Sequence, residues 1–231
     1  MFYRLSKREI RELVSSFDDI PDGVKDEMAI PSYLHRNPFV NFLMWRRYKI
    51  ISDIACLKKE DVVCEFGCGL GLFLPTLCES ASKVYAIDLF PRYAQRLAEN
   101  RKLPVSFVKS LGELDDEAID VIVAADVMEH LDNPSEYVLL CRQKLKSRGR
   151  LIVSGPTETL VYKIGRIIVG FGGKGEYHKT NVDDLRALIG DYGFNLVRTS
   201  TLPFRIPPFL FKVLGFQKTH GHKAVARMAA V

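Results

Sequence analysis

The sequence predicts an α/β fold whose central sheet is mostly parallel and is covered by helices on both faces. From residue 61 onward, short runs rich in valine and isoleucine alternate with stretches of helical periodicity. Such alternation is typical of βαβ units, in which successive strands run parallel. The chain has 231 residues, of which 47% are hydrophobic, so it can bury a sizeable core. This composition excludes a collagen-like, fully disordered or disulfide-framework protein.

The individual elements follow from the same periodicities. Helices are predicted ahead of the sheet at 4–17 and 41–57, and within it near 71–80, 91–102, 134–146 and 182–192. Asn181 is a suitable N-cap for the last of these helices. Strands are predicted at 61–66, 83–88, 105–109, 120–125, 150–154, 195–202 and 223–231. An apolar, proline-rich insert, 203–216, separates the last two strands.

The chain is expected to form an N-terminal helical cap, 1–60, and a larger domain, 61–231, with apolar insertions at about 157–175 and 203–222. Its five cysteines include no CxxC pair, so neither a disulfide framework nor a zinc ribbon is indicated. The N-terminus lacks the continuous apolar segment of a secretion signal, and no run of about 18 apolar residues occurs. We therefore expect a cytoplasmic protein without a membrane span.

The most informative segment is the turn that follows the first predicted strand. An acid, Glu65, leads three glycines, which are Gly67, Gly69 and Gly71. Glycines in such a turn permit positive φ and let a ligand approach the backbone closely. Asp88 lies at the tip of the next predicted strand, where a carboxylate can accept both ribose hydroxyls of an adenosine. A dinucleotide site would need its third glycine at Leu72, so the loop departs from the nicotinamide pattern.

Four segments together resemble the motifs of the class I S-adenosylmethionine-dependent methyltransferases. They are the glycine loop and residues 84–88, 120–131 and 145–154. The resemblance covers about residues 47–202 and is nearest to ubiquinone-type and other small-molecule methyltransferases. It implies a Rossmann-like, doubly wound sheet of seven strands with an antiparallel last strand and a helical segment that caps the cofactor. The implied cofactor is S-adenosyl-L-methionine, which leaves as S-adenosyl-L-homocysteine.

The resemblance also assigns cofactor-binding roles. The residues concerned are Arg47, Glu65, Gly67, Cys68, Gly69, Gly71, Asp88, Leu89, Ser110, Leu111 and Ala125. Glu65 would orient the glycine loop, whose residues line the amino-acid part of the cofactor, while Asp88 would hold the ribose and Leu89 would pack on adenine. Ser110 stands where the family usually has an acid near adenine N6. Arg47 resembles an arginine that reaches the methionine carboxylate, although a solvated helix residue is an equal alternative.

The chemistry of the reaction points to a base. Methyl transfer from a sulfonium is an in-line displacement, and a hydroxyl acceptor must lose its proton. The candidate bases are His130 and His178, although each could instead make only a structural contact.

Asp126, Glu129 and His130 resemble a Glu, Glu and His set that binds a divalent ion in ubiquinone-type enzymes, and such ligands suit Mg²⁺ or Mn²⁺. Many relatives with Glu-His at this point use no metal, so no metal is expected.

We therefore expect a methyltransferase that acts on a small-molecule or lipid-like acceptor, with oxygen favoured over nitrogen or carbon. One alternative is a nucleic-acid methyltransferase, but residues 125–128 lack the Asn/Asp-Pro-Pro-aromatic sequence common in enzymes that methylate base amines. A second alternative is a non-catalytic module that binds the cofactor. A third is a nicotinamide-dependent oxidoreductase, which Leu72 argues against because the dinucleotide pattern has a glycine at that position.

The distribution of charge bears on the acceptor. The net charge is +5, but residues 61–156 carry net −3 and residues 157–231 carry net +6. Carboxylates suit a site that holds a sulfonium and a ribose, whereas the basic last third belongs to the acceptor side. We interpret it as a sign of an anionic or membrane-associated small acceptor, with peripheral membrane contact through the apolar segments 160–171 and 203–216. A lid that only packs on the core is the plainer alternative.

Overall fold

The computed structural model describes residues 2–17, 19–157, 180–203 and 209–220. The helices in these ranges are α1 (Lys7–Val14), α2 (Asp22–Glu27), α3 (Ile30–Leu34), α4 (Pro38–Ala55), α5 (Leu74–Ser80), α6 (Arg92–Arg101), α7 (Pro134–Lys144) and α8 (Val182–Asp191). The strands are β1 (Val62–Phe66), β2 (Lys83–Ile87), β3 (Val105–Phe107), β4 (Ile119–Ala125), β5 (Leu145–Pro156), β6 (Phe194–Leu202) and β7 (Phe211–Lys218).

The strands form one sheet in the order β3-β2-β1-β4-β5-β7-β6. Strands β1 to β5 pair in parallel, and β7 lies antiparallel between β5 and β6. The predicted seven-stranded, mostly parallel sheet with an antiparallel last strand is confirmed. The strand order reverses between β1 and β4, which places a crevice at the carboxyl ends of these two strands.

The last strand, however, was predicted at the wrong position. It was expected at 223–231, which lies outside the described residues, whereas β7 lies inside the segment expected to be an apolar insertion, 203–222. Because β7 is a central strand with packed layers on both faces, four consecutive residues are buried and the alternation of a half-exposed strand is lost. Its Gly215 allows close packing of α4, since a Cβ there would lie 2.5 Å from Cγ2 of Ile54.

Helices cover both faces of the sheet, as predicted, and each face has its own hydrophobic cluster. Ile51 of α4, Leu74 of α5 and Tyr93 of α6 belong to the cluster on one face. Val138 of α7 and Leu185 of α8 belong to the cluster on the other. No helix in the described part of the chain is long and apolar enough to cross a membrane.

The N-terminal helices pack on the same face as α4. Helix α1 begins with a capping box, in which Ser6 and Glu9 exchange side-chain to backbone hydrogen bonds. Ile10 of α1 is fully buried in the cluster that contains α4. The division into a cap, 1–60, and a larger domain stays a prediction, and the insertion expected at about 157–175 lies outside the described residues beyond its first residue.

Candidate functional site

A cleft of about 730 Å³ opens at the carboxyl edge of the parallel strands. Its walls come from the segments after β1, β2, β3 and β4, and from the helical N-terminal region. Its volume lies within the range of about 300–1,000 Å³ that is typical of small-molecule sites. The sequence-predicted residues that line it are Arg47, Gly67, Cys68, Gly69, Asp88, Leu89, Ser110, Leu111, Ala125, Asp126 and His130.

The loop after β1 needs its first two glycines for different reasons. Gly67 has a φ of +80°, and a Cβ there would lie 2.6 Å from Cγ2 of Val127 in the segment after β4. Gly69 has a φ of +51° and faces open space, since a Cβ there would have only Cγ of Met28 within 4 Å, at 3.8 Å. The backbone at Gly69 is therefore accessible to a ligand in the cleft.

Asp88 is held rigidly at the tip of β2. Its Oδ2 accepts a hydrogen bond from the backbone N–H of Gly69 at 2.6 Å, and its Oδ1 accepts one from the N–H of Phe90 at 2.8 Å. The next side chain, Leu89, is 91% exposed and lies on the cleft wall. A fixed carboxylate beside an exposed apolar surface suits a nucleoside, because the carboxylate can accept the ribose hydroxyls while the leucine contacts the base.

Two predicted residues, Glu65 and Gly71, do not line the cleft. Glu65 is buried behind the glycine loop, and its Oε2 has no hydrogen-bond partner among the described residues. Burial and the negative charge of Asp88 raise the pKa of the Glu65 carboxyl well above its usual value. Gly71 instead packs on α6, where a Cβ would lie 2.9 Å from Cα of Ala94. Gly71 therefore has a packing role in the fold, and its role at the cofactor stays a prediction.

Replacement of Glu65 by Gln is expected to remove a pH dependence of folding. Because the pKa of Glu65 is raised in the folded state, the folded protein keeps a proton that the unfolded chain has lost, and stability falls as pH rises above the ordinary value of 4.5. The difference in unfolding free energy between wild type and Glu65→Gln should change by up to about 1.4 kcal/mol per pH unit. Urea unfolding at pH 5 and pH 8 measures it.

The matched control is Glu99→Gln, which changes an exposed glutamate on α6. The difference between this variant and the wild type should stay constant between the two pH values. An equally constant difference for Glu65→Gln would show that the Glu65 carboxyl titrates alike in the folded and unfolded chain, contrary to the expectation.

Arg47 is only 4% exposed, so the alternative of a solvated helix residue is wrong. Its guanidinium pairs with the carboxylate of Asp126 and donates a hydrogen bond to Oη of Tyr33 at 3.0 Å. Ser154 of β5 donates a further hydrogen bond to Oδ1 of Asp126 at 2.6 Å. The Nε of Arg47 is buried and has no hydrogen-bond partner in the part of the chain that the structure describes. This N–H and the unpartnered oxygen of Glu65 are a donor and an acceptor that suit the carboxylate and ammonium groups of an amino acid.

An aromatic wall of the cleft was not found from the sequence. Tyr33 of α3 and Tyr48 of α4 both line it, with ring centroids 6.3 Å apart and planes at 11°. Burial raises the pKa of both phenols, so both remain protonated at neutral pH. Neither residue belongs to a recognisable motif, and no local signal distinguishes tyrosines of this kind from ordinary core residues.

The predicted catalytic and metal residues are brought together only in part. His130 lines the cleft at the end of the short helix Met128–His130, whereas His178 lies outside the described residues. Glu129 does not line the cleft but lies beneath it, where a Cβ on Gly155 would be 3.6 Å from its Oε1. Asp126 is held by Arg47. Within the described ranges, no group of three His, Cys, Asp or Glu side chains could hold a metal ion.

Comparisons with known proteins agree with this geometry. The model of a methyltransferase-domain family matches residues 42–199. The ubiquinone biosynthesis O-methyltransferase of Rickettsia bellii is 32% identical over 128 residues, which is 52% of this chain and 52% of that protein. The magnesium-protoporphyrin O-methyltransferase of Synechocystis is 25% identical over 149 residues, which is 60% of this chain and 64% of that protein. The chain thus spans about half the length of the ubiquinone-type relatives it matches.

A solved structure has the same architecture. The N-methyltransferase NodS from Bradyrhizobium japonicum, bound to S-adenosylhomocysteine, superposes with a TM-score of 0.65 at 17% identity, covering 85% of this chain and 97% of NodS. At this identity the likeness shows the fold alone. The family match covers more than half of the chain and includes the glycine loop, Asp88 and His130. On these grounds the chain belongs to the class I S-adenosylmethionine-dependent methyltransferases, whose cofactor is S-adenosylmethionine.

Proposed function

We propose that the protein is an enzyme that transfers the methyl group of S-adenosylmethionine to an oxygen atom of a small or lipid-like acceptor. The observation that carries the proposal is the cleft itself, in which a rigid carboxylate, Asp88, and a histidine, His130, line the walls of one cavity. The cofactor supplies an electrophilic methyl group on a sulfonium. The chain must hold the cofactor, exclude water and place the acceptor.

The cofactor would be held along the glycine loop. Asp88 would accept the ribose hydroxyls, and Leu89, Ser110 and Leu111 would surround the adenine, since all four line the cleft. The backbone of Gly67, Cys68 and Gly69 would follow the amino-acid part, towards Ala125 at the end of β4. Burial and the nearby Glu65 raise the pKa of the Cys68 thiol well above its usual value, so it would remain neutral and unreactive.

The two unpartnered buried groups would complete the cofactor site. The Nε of Arg47 would donate to the methionine carboxylate. The ammonium group would donate to the oxygen of Glu65, directly or through water, and its positive charge would favour loss of the proton that this carboxyl keeps in the free protein. Binding would then satisfy a donor and an acceptor whose burial without partners costs free energy. A ligand that carries both a carboxylate and an ammonium group would therefore relieve this cost on binding.

On the acceptor side, His130 would take the proton of a hydroxyl. It lines the cleft after β4, and the lining of the same cleft includes the apolar Val127, Leu131 and Leu140. An apolar wall excludes water from the methyl group and favours an acceptor with hydrophobic parts. His178 remains the second candidate base. The ubiquinone biosynthesis and magnesium-protoporphyrin enzymes that this chain resembles are both O-methyltransferases, which also favours oxygen.

Calorimetric titration and labelled methyl transfer would test the proposal. The chain is expected to bind S-adenosylhomocysteine and not NAD, and to transfer a labelled methyl group to members of a panel of phenols, catechols and carboxylic acids. The panel should include each head group with and without an alkyl chain, with tRNA as a comparison and with EDTA added to one series. Binding of S-adenosylhomocysteine without transfer to any acceptor would favour a non-catalytic module instead.

A further inference from the structure

Two exposed phenylalanines lie near the start of α4. Phe39 is 48% and Phe42 is 51% exposed, and their rings are 6.5 Å apart at an interplanar angle of 26°. Scattered single apolar residues on a surface need no explanation, but a contiguous aromatic pair does. Neither ring has a role in the cofactor cleft, whose lining does not include them.

Cations surround this pair. Arg36 lies just before the start of α4. Arg46 lies about one helical turn after Phe42 and two turns after Phe39, so the three side chains share one face of the helix. Both arginines are exposed, and no acidic side chain in the described part of the chain forms an ion pair with either. We call Arg36, Phe39, Phe42 and Arg46 the aromatic–basic surface.

Two further cations reach the same end of α4 from the N-terminus. Lys7 donates a hydrogen bond to the carbonyl oxygen of His35 at 2.6 Å, directly beside Arg36. Arg4 donates to the side chain of Asn41 and lies over the ring of Trp45 at 5.6 Å. Both cations therefore lie at the same end of α4 as the exposed rings.

The direction of α4 puts this surface at the edge where the cleft opens. Arg47 reaches Asp126 after the carboxyl end of β4, whereas Ala55 accepts a hydrogen bond from Arg150 near the amino end of the β4–β5 pairing. The helix thus runs from the carboxyl edge to the amino edge of the sheet. Phe42 precedes Arg47 by five residues, a rise of about 7.5 Å along the helix, so the aromatic pair stands above the carboxyl edge.

We propose that the aromatic–basic surface docks the protein on an anionic phospholipid bilayer, with the two rings inserted among the lipids and the arginines on the head groups. Exposed aromatic rings flanked by cations have the chemistry that interfacial membrane binding requires, since apolar burial adds to electrostatic attraction. Docking at this edge would bring the mouth of the cleft to the lipid surface. That consequence rests on the proposed function, because it identifies the acceptor as a molecule that reaches the enzyme from the membrane.

Vesicle co-sedimentation tests the docking without any assay of activity. The full chain should bind phosphatidylcholine vesicles that contain phosphatidylglycerol, more weakly with rising salt, and should not bind phosphatidylcholine alone. Phe39→Ser/Phe42→Ser should lower the affinity at least about tenfold, and Arg36→Gln/Arg46→Gln about fivefold for each charge removed. The control Val197→Ser/Lys102→Gln, which removes an exposed apolar residue and an exposed cation elsewhere, should bind as the wild type does.

Binding of S-adenosylhomocysteine, measured in parallel, verifies that each variant is folded and keeps the two proposals apart. The docking would be overturned if the wild type did not bind anionic vesicles at low salt, or if the surface variants bound as well as the control does. Either result would leave the methyltransferase proposal intact. A loss of self-association in Phe39→Ser/Phe42→Ser, seen by analytical ultracentrifugation with unchanged vesicle binding, would also overturn it and assign the surface to a second copy.

Discussion

Replacement of Asp88 by alanine is expected to weaken the binding of S-adenosylhomocysteine by about 100-fold or more. Hydrogen bonds to charged groups contribute about 1.5–3 kcal/mol each, and the carboxylate would accept two of them from the ribose. The side chain also fixes the wall itself, because its oxygens accept the N–H groups of Gly69 and Phe90 at 2.6 and 2.8 Å. Isothermal titration of wild type and variant measures the loss.

The substitution Asp88→Asn separates the two contributions. Asparagine can still accept one backbone N–H through its carbonyl oxygen, so the loop should stay in place while the charged acceptor is lost. Its affinity is expected to lie between those of wild type and Asp88→Ala. The matched control is Asp116→Ala, which removes an exposed aspartate that pairs with Lys144 away from the cleft and should bind as the wild type does. Unchanged affinity in Asp88→Ala would contradict the assignment of Asp88 to the ribose.

Replacement of His130 by alanine is expected to lower kcat by about 10²–10⁴-fold while the affinity for S-adenosylhomocysteine is retained. General base catalysis contributes a factor of this size when a positioned side chain takes the proton of the acceptor. His130 lines the cleft at the carboxyl end of β4, where a proton acceptor for a bound hydroxyl is needed. Single-turnover transfer to a phenolic acceptor measures the effect.

The pH profile distinguishes a base from a structural contact. For the wild type, kcat should rise with pH through the titration of a histidine, and in His130→Ala that inflection should be lost. His220→Ala is the control, since His220 is exposed and contacts Ser147 at the opposite edge of the sheet. If the rate survives in His130→Ala but falls in His178→Ala, the base is His178. If both variants turn over normally, the acceptor needs no histidine.

Much of the fold could be predicted because its central strands carry local signals. Strands β1, β2 and β4 are largely buried, so they read as short apolar runs between turns, and the observed bounds agree with the predicted ones to within one residue at every end. The glycine loop and Asp88 could be placed for the same reason, since parallel strands bring their carboxyl ends to one edge. β7 was missed because a doubly buried strand beside prolines looks like an apolar insertion.

The residues that could not be predicted depend on contacts between distant segments. The helical pattern at 41–57 left two equal roles for Arg47, and only the structure shows that its guanidinium is buried against Asp126 while the rings of Phe39 and Phe42 are exposed. Helical periodicity reports which residues share a face. It does not report what packs on that face.

By itself, the amino-acid sequence determined the α/β architecture, the glycine loop after β1 and the acid at the tip of β2, because these depend on residue types at short, regular spacings. Only the tertiary structure decided that Arg47 pairs with Asp126, that Tyr33 lines the cleft and that Gly71 packs against α6. Whether a side chain is buried or paired depends on the segment that packs against it. That segment is usually distant in the sequence, so the local pattern around the residue does not report it.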